Sequence, residues 1–165
     1  MIRALKKILV CGLFLFTPLD SKAEEKGPIF CMAEAIYFEA RGEPDIGQIA
    51  VGMTIRNRAF RSLKYPANIC EVVRQGHYLN GNPVRNKCQF SYWCDGKPER
   101  VKNEKAWKKA VRFAKIVLSG GLEIVGLEKI THYHTKEVSP KWSQKLIHKV
   151  TIGSHKFYAS QRQNL

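Results

Sequence analysis

Ala33-Glu34-Ala35-Ile36-Tyr37-Phe38-Glu39-Ala40-Arg41-Gly42-Glu43-Pro44 runs from an apolar helix into a charged corner. Apolar residues recur at helical spacing from Ile29 to Ala40. Phe30, Ala33, Tyr37 and Ala40 share one face, and Ile36 and Phe38 widen it. Gly42 is a natural stop, and Pro44 disfavours continuation because proline lacks the amide that the next helical hydrogen bond needs. A second helix is predicted from Pro44 or Asp45 to about Phe60, with Ile46, Ile49, Ala50, Met53 and Ile55 on its buried side. Arg56, Asn57 and Arg58 are expected to end that helix in polar groups. Two helices therefore meet at Glu39-Ala40-Arg41-Gly42-Glu43, a tight corner with two acids and one base.

The two acids differ in setting. Glu39 falls in the last turn of the first helix, where the negative end of the helix dipole and apolar neighbours both favour the protonated form. Glu43 follows the break, at the start of the next helix, where a carboxylate prefers to be ionised. Surroundings that drive two carboxyl pKa values apart are what acid/base catalysis requires. A surface salt-bridge corner made of Glu39, Arg41 and Glu43 satisfies the same spacing, and spacing alone does not separate the two.

Outward from this corner, Tyr65-Pro66-Ala67-Asn68 reads as a turn, with Asn68 capping a short helix through Val73. Residues 75–100 are rich in Gly, Asn, Pro and aromatics without periodicity, so a long loop region is expected there. Glu104 to Ser119 is the clearest amphipathic helix. Trp107, Ala110, Val111, Ala114, Val117 and Leu118 face inward, Lys105, Lys108, Lys109 and Arg112 face outward, and Gly120-Gly121 ends it. Thr131-His132-Tyr133-His134-Thr135, Val150-Thr151-Ile152 and Lys156-Phe157-Tyr158 read as short strands. The pattern is α+β, mainly α: a single domain with a small β element near its C-terminus.

The 165 residues carry 28 Lys and Arg against 14 Asp and Glu, a formal charge of +14. Such a surplus suits a polyanionic neighbour, whether nucleic acid, anionic lipid or an anionic cell wall, and equally suits Lys-rich helix faces that keep the protein in solution. Arg3, Lys6 and Lys7 precede the apolar stretch Ile8 to Phe16, and Ser21-Lys22-Ala23 offers a cleavage site. Residues 1–23 therefore read as a secretory signal, leaving residues 24–165 as the working domain. The apolar stretch is well short of the about 20 residues that span a bilayer, so stable membrane insertion is not expected once it is cleaved. A retained anchor is the alternative. Export disfavours nucleic acid and leaves a secreted or periplasmic, wall-associated protein, expected to be a monomer.

Cleavage would leave four cysteines, Cys31, Cys70, Cys88 and Cys94, an even set that suits two disulfides in an oxidising compartment. Cys88 and Cys94 close a short loop, which favours that bridge and leaves Cys31 with Cys70. A zinc site of all four is the rival, although such sites normally show two closely spaced pairs.

The corner also carries a resemblance. Ala33-x-x-Ile36-Tyr37-Phe38-Glu39-Ala40-Arg41-Gly42-Glu43-Pro44-x-x-Gly47-Gln48-x-Ala50-Val51-Gly52-x-x-x-x-Asn57-Arg58 resembles the opening signature of the SleB/CwlJ family of cell-wall hydrolases. Three more blocks are similar in order: Tyr65-Pro66-x-x-Ile69-Cys70-Glu71-Val72-Val73, Cys88-Gln89-Phe90-Ser91-Tyr92-Trp93-Cys94-Asp95-Gly96, and Ile152-Gly153-x-His155-x-Phe157-Tyr158. The resemblance implies a lysozyme-like, lytic transglycosylase-like domain acting on peptidoglycan glycan strands without metal or other cofactor. It implies Glu39 as the catalytic acid/base. Around it, Glu43, Arg41, Gln89, Phe90, Ser91, Tyr133, His134, Trp142 and His155 are the expected substrate-binding residues. The segment Thr131 to Thr135, with its added histidines, departs from the family pattern.

Other chemistries compete. His132 and His134 form an H-x-H pair that, with His155, could hold zinc as an amidase would. Cys31 with His155 could form a nucleophilic pair, although an exported cysteine is more often oxidised. The rival functions are an N-acetylmuramoyl-L-alanine amidase and a non-catalytic wall-binding protein.

Overall fold

A computed structural model describes residues 26–122 and 124–160. The proposed signal, residues 1–23, lies outside the described residues. In chain order the elements are α1 (Pro28–Ala40), α2 (Asp45–Arg61), α3 (Ile69–Val73), β1 (Gly76–Leu79), β2 (Asn82–Cys88), α4 (Glu104–Leu118), β3 (Ile130–Thr135), β4 (Ile147–Ile152) and β5 (His155–Ala159). Short 3-10 turns occupy Ser91–Cys94 and Lys141–Lys145.

The first helix is the hub of the core. Cys31, Met32, Ala33, Ala35, Ile36, Tyr37 and Ala40 are all buried, because α2, α3 and α4 pack around it. Even Glu34 is buried, paired with Lys26 at 3.2 Å. The three long helices close on Gly52. A Cβ there would stand 3.1 Å from Ile36 Cδ1 of α1 and 3.3 Å from Val117 Cγ2 of α4. Glycine lets the backbone of α2 approach both helices, and a larger residue would force them apart.

The polar end foreseen for α2 is instead interior. Arg56, Asn57 and Arg58 are all buried. Their donors meet carbonyls from the last turn of α4 to the start of β3: Arg56 Nη1 reaches Val117 O at 3.3 Å, and Asn57 Nδ2 reaches Leu127 O at 3.0 Å and Ile130 O at 2.9 Å. Arg58 Nε donates to Thr131 O at 2.7 Å. Hydrogen bonds from charged donors contribute about 1.5–3 kcal/mol each, so this end of α2 fixes where β3 lies. Residues with no apolar partner in the local pattern are buried because distant backbone acceptors come to them.

The region expected to be a long loop contains a hairpin. β1 and β2 pair antiparallel around Asn80-Gly81, whose φ values of 49° and 79° are both left-handed, as a type I′ turn demands. Asn-Gly was the local signal for this turn. It lacked flanking apolar alternation because both strands are largely exposed. Tyr78 Oη donates to Arg74 O at 2.6 Å and accepts from Trp93 Nε1 at 2.9 Å, tying the hairpin to the body.

Both cysteine pairs are bonded as expected, Cys31 with Cys70 and Cys88 with Cys94, at S–S distances of 2.06 and 2.25 Å. The short helix α3 is capped by Asn68 Oδ1, which accepts from the amides of Cys70 and Glu71. The second sheet has the order β3-β5-β4, all antiparallel. Side chains alternate across it. Tyr133, His155 and Phe157 face the helices, whereas His132, His134 and Tyr158 face away, packed with Trp142. Among the described residues, no helix is long and apolar enough to cross a membrane.

Candidate active site

Glu39 closes the last turn of α1 and is partly buried. Tyr133 of β3 donates its hydroxyl to Glu39 Oε2 at 3.2 Å. The backbone amides of Tyr92 and Ser91, at the start of the 3-10 turn, also bond the carboxyl, and the Arg58 guanidinium exerts its field on it. Burial pushes the Glu39 carboxyl above its ordinary value of 4.5, outweighing these three donors and the cation. The elevation expected from the sequence is present, with desolvation as its main cause.

Glu43 is held quite differently. It lies between α1 and α2, before the first turn of α2, with its carboxylate against the β4–β5 turn. Burial alone would raise its pKa. The Ser154 hydroxyl and amide, the latter at 2.9 Å, reverse this with help from His155 and leave it below the ordinary carboxylate value. His155 Nδ1 stands 3.8 Å from Glu43 Oε2. The opposed shifts of Glu39 and Glu43 match the expectation, and the surface salt-bridge corner does not form: Arg41 lies over the Tyr37 ring at 5.1 Å.

The β4–β5 turn depends on glycine. Gly153 has φ +56°, and a Cβ on it would lie 1.9 Å from Glu43 Oε2 and 2.9 Å from Pro44 Cδ. Gly153→Ala would have to adopt a strained backbone and eject the Glu43 carboxylate. The expected loss is about 2–4 kcal/mol in a denaturant titration, against a smaller loss for Ser154→Ala, which keeps the amide bond.

Glu39 opens into a cleft of about 690 Å³. Tyr37, Phe38 and Arg41 line it from the end of α1, Ser91 and Tyr92 from the 3-10 turn, and Thr135 and His155 from the sheet. Asp95, Lys97, Glu99, Arg100 and Lys102 come from the segment leading to α4. Tyr92 is stacked on Phe38, with centroids 4.9 Å apart, which helps keep water from Glu39. A depression of about 740 Å³ beside Cys70 contains none of the residues expected to bind or cleave a glycan.

The expected binding residues divide. Arg41, Ser91 and His155 line the cleft, and Tyr133 holds Glu39. Gln89 is exposed outside it, its amide bonded to Gln75 O at 2.9 Å. Phe90 is a core residue beneath the Arg58 guanidinium. His134 and Trp142 are on the far face of the sheet, where His134 Nε2 meets Tyr158 Oη at 2.8 Å. A two-residue strand period puts His134 on the opposite side from Tyr133, so no groove-lining role fits it or Trp142. The same alternation separates His132 and His134 from His155, so the three do not converge as zinc ligands. Cys31 is bonded to Cys70 and is no nucleophile.

Sequence reading offered Tyr92 only as a residue that stacks on a sugar face or fills the core, and it missed Arg58 and Ser154. Tyr92 and Arg58 lie within quoted motif blocks, but the sequence offers no pointer to their contacts. Ser154 followed the Ile152-Gly153 pair, and only the folded turn brings it to Glu43.

The family profile described as Cell Wall Hydrolase matches residues 42–158. The match begins three residues after Glu39. A spore cortex-lytic enzyme of Halalkalibacterium halodurans is 50% identical over 42 residues, 26% of this chain and 12% of that relative, so the matched segment spans a small part of the relative's length. Among solved structures, the catalytic domain of the Bacillus cereus SleB protein is similar at 27% identity and a TM-score of 0.55, covering 79% of this chain and 88% of that one. The catalytic domain of the germination-specific lytic transglycosylase SleB of Bacillus anthracis is similar at 26% identity and a TM-score of 0.59, covering 83% and 98%. These likenesses agree with the expected α+β, mainly α fold.

Proposed function

The chain belongs to the cell wall hydrolase family, and from that premise we propose that it cleaves peptidoglycan glycan strands as a lytic transglycosylase, with Glu39 as the acid/base. The observation that carries this reading is a carboxyl raised in pKa by burial, at the wall of an open cleft and held by three donors. Protonated Glu39 gives its proton to the glycosidic oxygen, and the bond to the muramic acid anomeric carbon breaks with oxocarbenium character. The resulting carboxylate is stabilised by the Tyr133 hydroxyl and the amides of Ser91 and Tyr92. It then takes the proton of the muramic acid 6-hydroxyl as that oxygen closes a 1,6-anhydro ring. Glu39 ends protonated, and no water is consumed.

One carboxyl suffices for this cycle, whereas a hydrolase generally uses two. Asp95 and Glu99 also line the cleft, and analysis of the products decides whether either takes part. Glu43 is not among the cleft-lining residues and is bound by Ser154, so it supports the corner rather than the chemistry. The proposed place of action is the cell wall, reached by export through residues 1–23. The working unit is residues 24–165 as a monomer, with no cofactor and no nucleic-acid partner.

Digestion of purified sacculi followed by mass analysis tests the reading. Muropeptides ending in 1,6-anhydromuramic acid are the expected products. Fragments heavier by one water would mean a hydrolase, and released stem peptides on intact glycan would mean an amidase.

A further inference from the structure

A second concavity, about 470 Å³, lies beside the cleft along α4. It is lined by five cations and no acid: Arg41, Lys105, Lys108, Lys109 and Arg112. Arg41 and Asn103 also line the Glu39 cleft, so the two concavities adjoin there. Lys108 is paired with Glu104 at 3.6 Å, and Lys109 is paired with Asp45. Arg41, Lys105 and Arg112 are exposed and form no ion pair with any described residue.

A solvated basic helix face accounts for charge but not for its placement. Lys105, Lys108, Lys109 and Arg112 share one helical face at spacings of three and four, where like charges repel and a bound anion would relieve them. Ala106 and the alkyl stems of these long side chains add apolar surface to the lining. The groove also opens at Arg41, two residues after Glu39. Each muramic acid of a glycan strand carries a peptide with free carboxylates on its lactyl arm. A strand cut at Glu39 must send that peptide out of the cleft, and Arg is suited to gripping carboxylates at the exit.

We propose that this groove is a subsite for the anionic stem peptide of the glycan, gripped by Arg41, Lys105 and Arg112. The chain then selects peptide-bearing strands over bare ones. This rests on the reading of the chain as a glycan-strand cleaver.

The test compares kcat/KM on peptide-bearing strands and on the same strands stripped of peptide, for the unaltered chain and for Lys105→Glu/Arg112→Glu. The preference for peptide-bearing strands should fall about tenfold in the variant. It should fall by less in Lys105→Gln/Arg112→Gln, and should shrink with added salt in the unaltered chain. A preference that does not change, or an equal loss on both strands, overturns the subsite. Calorimetric titration with the free stem peptide is independent of cleavage. Weaker binding in the variant supports the subsite even where neither strand is cut, in which case the cleavage reading alone fails. Binding that is absent, or the same in both proteins, overturns the subsite even where strands are cut.

Discussion

Glu39→Gln is expected to reduce cleavage of peptidoglycan by roughly 10²–10⁴-fold, because glutamine keeps the size of the side chain and removes the transferable proton. The pH profile sharpens the test. Burial raises the Glu39 carboxyl, so the acid remains protonated to higher pH than an exposed glutamate, and activity should decline as pH rises through its pKa. The residual activity of the variant should lack that decline. Full activity in Glu39→Gln would remove Glu39 from the chemistry.

The same shift makes a stability statement. A carboxyl whose pKa is higher in the folded state favours folding when protonated, so its contribution is present below the ordinary value of 4.5 and is lost as pH rises through the folded value. Glutamine does not titrate. The melting temperature of Glu39→Gln relative to the unaltered chain should therefore shift in the variant's favour between pH 3 and pH 7. A constant difference across that range would mean that burial does not raise this carboxyl.

Removing the Cys31–Cys70 bond is expected to have the largest effect on folding. The bond ties α1, the hub of the core, to α3 across a sequence separation of 39 residues. Closing a loop of that length restricts the unfolded chain by roughly 4 kcal/mol on the chain-entropy account, a large share of the 5–15 kcal/mol that stabilises a typical domain. Cys31→Ala/Cys70→Ala should lower the denaturant midpoint accordingly. The Cys88–Cys94 bond spans only 6 residues, and its removal should cost roughly 2 kcal/mol. Equal losses for the two double variants would mean that loop length does not govern the effect.

What could be read before folding was local. Helical spacing placed α1, α2 and α4 because each repeats its apolar face within one segment, and Asn68 marked the start of α3 by a bond to amides two and three residues on. The hairpin went unread because exposed strands carry no alternation to betray them, although Asn80-Gly81 marked its turn. Arg56, Asn57 and Arg58 looked like a solvated helix end because the carbonyls they meet lie 61 to 73 residues away. His134 and Trp142 entered the candidate list through resemblance, and the alternation of β3 then set them on the far face of the sheet.

The corner from Glu39 to Glu43 shows where each kind of information ends. From the sequence came an acid at the end of an apolar helix, a break, and a second acid four residues later. That order follows from helix periodicity and from the limits glycine and proline impose on the backbone. The different states of the two carboxyls came from tertiary structure. Tyr133, 94 residues from Glu39, and the amides of Ser91 and Tyr92 close over one acid, and Ser154, 111 residues from Glu43, holds the other. A pKa is set by desolvation and by the donors that reach the charge, and those donors are assembled only when the chain folds.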